Sequence, residues 1–139
     1  MAIIDINYLA VLVTAVISMV IGGLWYSPLL FGKLWMNLSN INQRDISKAK
    51  QKGMAMSYLA AFIGALVTSY VLAHFIDYTE ATTITAGMTA GFWIWLGFIA
   101  TTTLGVVLWE GKPIKLYLLN NAYSIINLLI MGAILAVWP

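Results

Sequence analysis

The side chains in this sequence able to do chemistry fall into three small groups. The first centres on Glu110, placed between Trp109 and Gly111-Lys112-Pro113 at the edge of an apolar run. Trp25, Tyr26, Ser27 and Lys33 stand at the matching depth of another run, and the six residues form a candidate inner-boundary site. A carboxylate at a membrane boundary is partly desolvated and seeks a partner, here Lys112, Lys33 or the Tyr26 hydroxyl. It would either pin two turns or bind a solute or a proton. The second group is a candidate polar pathway of Asn7, Thr14, Ser18, Asn120, Ser124 and Asn127, spaced so that their amides and hydroxyls line helix faces. The third is His74, Asp77, Glu80 and Asp5, which could meet at the opposite boundary to hold a divalent cation weakly or to sense pH. Solvated loop polarity is the plainer explanation of this third group. None of its spacings is a metal motif, so neither a metal nor a cofactor is implied.

Enzyme chemistry finds no foothold. There is no Gly-rich phosphate loop, HExxH or GxSxG. The single histidine lies on the opposite side from Glu110, and no nucleophile, base and orienting group can be assembled. The absence of cysteine removes thiolate ligands, disulfides and thiol nucleophiles together. A basic arm suited to nucleic acid is also missing.

The elements that must position these groups follow from composition. The chain has 139 residues, 62% hydrophobic and 9% charged, with 7 basic and 5 acidic side chains. A soluble domain is about 45–50% apolar and about 25% charged. So few charges cannot solvate a water-facing surface around so much Leu, Ile, Val and Ala. A soluble enzyme, a disordered tail and a disulfide-stapled domain are excluded, and a single integral membrane domain over 1–139 remains.

A helix crossing the hydrocarbon needs roughly 20 mainly apolar residues. Four stretches qualify, at about 6–25, 54–76, 84–109 and 114–138, and none carries a charge at mid-depth. The first could be mistaken for a cleaved signal. Its start, Met-Ala-Ile-Ile-Asp-Ile-Asn, has no basic region, and its apolar run is longer than a signal core, so it reads as a membrane helix. Residues 29–36 (Leu-Leu-Phe-Gly-Lys-Leu-Trp-Met) are apolar but short and interrupted, which reads as an interfacial helix. The stretch 37–52 is a polar loop whose last residues hold three lysines, a positive-inside anchor or a docking site for a cytoplasmic partner.

Lys33, Arg44, Lys48, Lys50 and Lys52 lie between spans one and two, and Lys112 and Lys115 lie beside the turn between spans three and four. With four crossings, both basic loops fall on one side. The positive-inside rule then places them in the cytoplasm and both termini outside the cytoplasmic membrane.

Each span carries one face of small or polar residues. Ser57, Ala61, Gly64 and Thr68 share a face on the second, and Gly87, Gly91, Phe98 and Gly105 share one on the third. Lipid tails are as apolar as leucine, so helices associate through small residues and inter-helix hydrogen bonds. Gly64, Gly87, Gly91 and Gly105 are accordingly the expected helix-packing positions. The polar stripes either glue the bundle or line a wet pathway.

The run Gly22-Gly23-Leu24-Trp25-Tyr26-Ser27-Pro28-Leu29-Leu30-Phe31-Gly32-Lys33-Leu34-Trp35 resembles the signature of small bacterial membrane proteins catalogued as domain of unknown function 1761. Trp109-Glu110-Gly111-Lys112-Pro113, Asn120-Asn121-Ala122-Tyr123 and Met131-Gly132-Ala133-Ile134 fit the same family. The resemblance covers nearly the whole chain. It implies a small four-span membrane protein and brings no activity or catalytic residues. The halves also resemble each other: Leu24-Trp25, Pro28 and Lys33-Leu34-Trp35 can be set against Leu108-Trp109, Pro113 and Lys115-Leu116-Tyr117. This is either a parallel repeat, as transporters use, or the common furnishing of inner helix ends.

The expected object is therefore all-α: a polytopic membrane protein with four transmembrane helices in a bundle and a short interfacial helix after the first span. Its expected function is a small transporter or channel subunit in contact with the lipid bilayer. So short a chain would enclose a path only as a homo-oligomer. The alternative is a non-catalytic accessory or scaffold protein that binds another membrane protein or lipid.

Overall fold

The computed structural model describes residues 5–138; Met1 to Ile4, part of the stretch read as lacking a basic region, and Pro139 lie outside them. The described residues form helices and turns only. We number the helices α1 (Tyr8–Trp25), α2 (Gly32–Leu38), α3 (Gln43–Lys52), α4 (Ala55–Tyr78), α5 (Ile84–Leu108) and α6 (Ile114–Val137). The four long ones, α1, α4, α5 and α6, are each long and apolar enough to cross a membrane.

Local chemistry sets the boundaries. Asn7 starts α1 by accepting from the Ala10 N–H at 3.1 Å, and Thr83 starts α5 by accepting from the Ala86 N–H at 3.1 Å. The end of α1 is a tight reversal. Phe31 N–H donates to Trp25 O at 3.0 Å, Gly32 N–H to Ser27 O at 2.9 Å, and the Ser27 hydroxyl to Leu24 O at 2.7 Å. A Cβ on Gly32 would lie 2.5–2.7 Å from the Tyr26 and Ser27 carbonyl groups, so this turn admits only glycine.

The polar stretch 37–52, expected as a loop, contains α3. Asn42 and Asp45 form a reciprocal capping box: Asn42 Oδ1 accepts from Asp45 N–H at 2.9 Å and Asp45 Oδ2 from Asn42 N–H at 3.0 Å. Lys50 and Lys52 stand in its last turn, where the helix dipole favours cations. Gly53, at φ +90°, then turns the chain into α4.

The core gathers on α6. Leu128, Met131, Leu135 and Ala136 of α6 pack with Ala10 and Val11 of α1 and Leu72 and Ile76 of α4. The Ser69 hydroxyl donates to Val11 O at 2.9 Å and ties α4 to α1. Helix α5 meets α6 through backbone contact. A Cβ on Gly87 would overlap the Gly132 carbonyl, and one on Gly91 would overlap the Leu128 carbonyl. Gly132, on the α6 side of this contact, is as necessary as the two glycines facing it.

Two expected packing glycines lie elsewhere. Gly64 has no atom within 4 Å of its missing Cβ, and Ser57, Ala61, Gly64 and Thr68 are all exposed rather than packed against a helix; α4 buries Ser69, Leu72 and Ile76 instead. Gly105 meets only Trp109 of its own segment, at 3.3 Å. Phe98 is 67% exposed rather than aligned with Gly87 and Gly91. The cause is a π-helical stretch, Trp95–Ala100, which widens one turn and rotates everything beyond it away from 3.6-residue spacing. Ala100 is buried in its place.

Candidate functional site

The wide turn of α5 loosens four successive carbonyls, and hydroxyls satisfy all of them. Thr101 donates to Gly97 O at 2.7 Å, Thr102 to Phe98 O at 2.6 Å, Thr103 to Ile99 O at 2.6 Å and Tyr117 to Ala100 O at 2.6 Å. Asn121 Nδ2 donates to Thr103 Oγ1 and to Tyr117 O, each at 3.1 Å. In hydrocarbon a carbonyl without a donor costs several kcal/mol, so the Thr101-Thr102-Thr103 triplet is what permits the irregular turn.

At the end of the bundle near α2 and α3, the inner-boundary group divides. Tyr26 donates to Asn120 Oδ1 at 2.7 Å and sets its ring edge-on to Trp35 at 5.7 Å and Tyr123 at 5.4 Å. Trp25 packs on Phe31 at 4.5 Å and on Tyr123 at 6.3 Å. Burial, with Tyr123 as a lesser cause, pushes the Tyr26 phenol up to about 12. Trp109, in contrast, is 86% exposed, and Glu110 and Lys33 are exposed without an ion pair among the described residues. Of the three partners expected of Glu110, the Tyr26 hydroxyl is committed to Asn120, and neither Lys33 nor Lys112 pairs with it among the described residues. The 109–113 turn is held instead by backbone bonds, Glu110 N–H to Gly105 O at 3.3 Å and Lys112 N–H to Val106 O at 3.1 Å. Trp25 and Trp109, equivalent if the halves were repeats, stand in unlike surroundings.

The expected polar pathway is likewise distributed. Ser18 and Asn127 line a cavity of about 890 Å³ between α1, α3, α4 and α6. Asn7 lines a second cavity, of about 410 Å³, at the other end. Thr14 lies between them, fully buried with its hydroxyl unpartnered. Asn120 is taken by Tyr26, and Ser124 bonds back to Asn120 O at 3.0 Å.

The larger cavity has a physical origin. Helices α1 and α4 are joined where Ser69 bonds Val11, and they separate toward the end bearing α3, so that Gly22 and Gly23 face Tyr58 and Ala61 across a gap. Tyr123 of α6 closes its inner wall; a Cβ on Gly22 would stand 3.1 Å from the Tyr123 hydroxyl, and Ser18 reaches the same hydroxyl. Helix α3 covers it with Ile46, Ala49 and Lys50. Sequence reasoning missed Tyr123; the signal was Ser18 and Gly22 one turn apart, which leave a space that only a large side chain on a neighbour fills.

Asp5, Asp77 and Glu80 all line the smaller cavity with Ala10, Ala81 and Trp138, but among the described residues no three or more His, Asp or Glu side chains stand close enough to hold a metal ion. His74 is not in this group. Its Nδ1 stands 2.8 Å from Tyr70 O and its ring lies against Tyr70 at 4.5 Å.

Four helices long and apolar enough to cross a membrane, with α1, α4 and α5 packed on a central α6 and a cavity toward each end, form a helical bundle compatible with a multi-pass membrane protein. The chain belongs to the family described as Protein of unknown function (DUF1761), whose model matches residues 9–136. No curated protein and no solved structure matches it.

Proposed function

We propose that the protein is a small transporter or channel subunit, working as a homo-oligomer, whose solute is held in the cavity beside α3. The observation that carries this reading is the pair of cavities at opposite ends of the bundle with one packed layer between them. Ala10 borders one and Ser18 the other. They stand eight positions apart on α1, about 12 Å of rise. Val11, Thr14, Ala15, Ser69 and Met131 fill that layer, and all are buried. A layer of mainly small side chains, with an unpartnered Thr14 hydroxyl, needs only modest helix movement to admit a solute or water.

The test is flux of a broad panel of ions and small metabolites into liposomes holding the purified protein. At least one solute is expected to move, and Ala65→Trp, which fills the cavity beside α3, is expected to stop it. Silence across the panel, flux indifferent to Ala65→Trp, or a monomer by cross-linking in the bilayer would overturn the reading. One observation favours the accessory alternative: Gly64 and its outward neighbour Ser57 leave a close-approach face of α4 free of any helix of this chain. Under that alternative Glu110→Gln and Ala65→Trp leave cellular function intact, whereas Gly64→Leu abolishes it.

A further inference from the structure

The cavity beside α3 has two unlike ends, and together they specify an occupant. Its walls toward the bilayer are small and apolar, with Gly22 and Gly23 on α1 and Ala61 and Ala65 on α4. Gly23 and Ala61 are exposed, and nothing stands within 4 Å of the missing Gly23 Cβ, so the gap between α1 and α4 is open on the side where acyl chains lie. At about 890 Å³ the space has the size and apolar character of ligand cavities.

The rim is different. Asp45 and Lys50 are the charged residues lining the cavity. The Asp45 carboxylate is engaged by the Asn42 N–H in the capping box, whereas Lys50 is exposed and makes no ion pair among the described residues. Arg44, Lys48 and Lys52 extend the same cationic surface along α3. No residue of α3 is buried; it rests over the mouth between the reversal at Asn40, φ +61°, and Gly53, φ +90°. A basic helix at a membrane surface attracts anionic headgroups.

We propose that this cavity binds an anionic phospholipid from the leaflet on the basic-loop side, its acyl chain entering between α1 and α4 and its phosphate resting on Lys50 under α3. The proposal rests on the reading of this cavity as the binding compartment and names its occupant. An acyl chain would replace open space along Gly22, Gly23, Ala61 and Ala65 with contact. The headgroup would supply the counter-charge that Lys50 lacks.

The experiment uses the full chain in phosphatidylcholine nanodiscs containing a minor fraction of phosphatidylglycerol with a photoreactive acyl chain, and maps the labelled peptides. Labelling is expected at Met19, Tyr58, Ala61 and Ala65, displaced by excess unlabelled phosphatidylglycerol and not by phosphatidylcholine. Ala65→Trp is expected to cut it about tenfold. Lys50→Gln is expected to reduce the preference for the anionic lipid about fivefold, the share one basic residue contributes at an anionic surface. Because Lys50 is exposed, that variant tests the proposal even if Ala65→Trp does not fold. Labelling spread evenly over α5, equal competition by phosphatidylcholine, or displacement by soluble glycerol phosphate overturns it. Nonspecific labelling with solute flux intact discards the lipid and spares transport; specific labelling with no flux does the reverse.

Discussion

The contact between α5 and α6 gives a sharp prediction about which glycines carry the fold. A methyl group added at Gly87 would lie 2.7 Å from both the Gly132 carbonyl carbon and Ala136 Cβ, and one at Gly91 would lie 2.9 Å from the Leu128 carbonyl carbon. Ordinary carbon contacts sit at about 3.5–4.0 Å, so the helices must part by about 1 Å, and a gap of that size forfeits a quarter to a half of each dispersion contact along the row. Gly87→Ala, Gly91→Ala and Gly132→Ala should each destabilise by about 1–3 kcal/mol, the usual cost of overpacking. Gly64→Ala and Gly97→Ala, where a methyl meets open space, should be neutral or stabilise by up to about 1 kcal/mol through helix propensity. The assay is reversible unfolding of purified protein in mixed micelles, followed by circular dichroism. Gly87→Ala and Gly132→Ala act on one contact, so the double variant should cost less than the two single losses added together. If Gly87→Ala and Gly64→Ala proved equally mild, the α5–α6 packing described above would be wrong.

Tyr26→Phe removes the donor to Asn120 Oδ1 and should cost about 0.5–1.5 kcal/mol in the same unfolding assay, with Asn120→Ala largely non-additive to it. Because the folded Tyr26 phenol titrates near 12 rather than 10, its contribution is complete below pH 10 and fades between pH 10 and 12. The native protein should therefore lose more stability over that window than Tyr26→Phe does. Thr103→Val should cost more than Thr101→Val, about 1–3 against under about 1 kcal/mol, since the Thr103 hydroxyl both serves Ile99 O and receives Asn121. Glu110→Gln, at an exposed carboxylate without an ion pair among the described residues, should change stability by no more than about 0.5 kcal/mol.

Hydropathy and length were enough to find the four long helices, with ends off by at most two residues, because an apolar run of spanning length has few other uses. The faces were harder. In a lipid-contacting helix the packed and lipid-facing sides are both apolar, so Ser57, Ala61, Gly64 and Thr68 look like a seam although none of them is buried. Phe98 was misplaced because one π-helical turn shifts the register, and its signal, three threonines able to serve freed carbonyls, reads at first as mere polarity. Helix α3 was hidden by its charge, although Asn42 and Asp45 stand at capping-box spacing. The candidate site divided because depth alone does not bring residues together. Glu110 and Tyr26 both stand at the ends of long helices, yet Tyr26 turns inward to Asn120 and Tyr123 while Glu110 remains outside.

Transport through the bundle and lipid binding beside α3 both require α1, α4, α5 and α6 to cross the bilayer with both basic segments on one face. The chain has no cysteine, so single cysteines can be placed at Ser47, Lys112 and Thr82 and probed in sealed vesicles with a thiol reagent that does not cross lipid. Ser47→Cys and Lys112→Cys should react from the same side, and Thr82→Cys only from the other. Reaction of the Ser47 and Lys112 positions from opposite faces, or of all three from one face, would contradict the four-crossing arrangement.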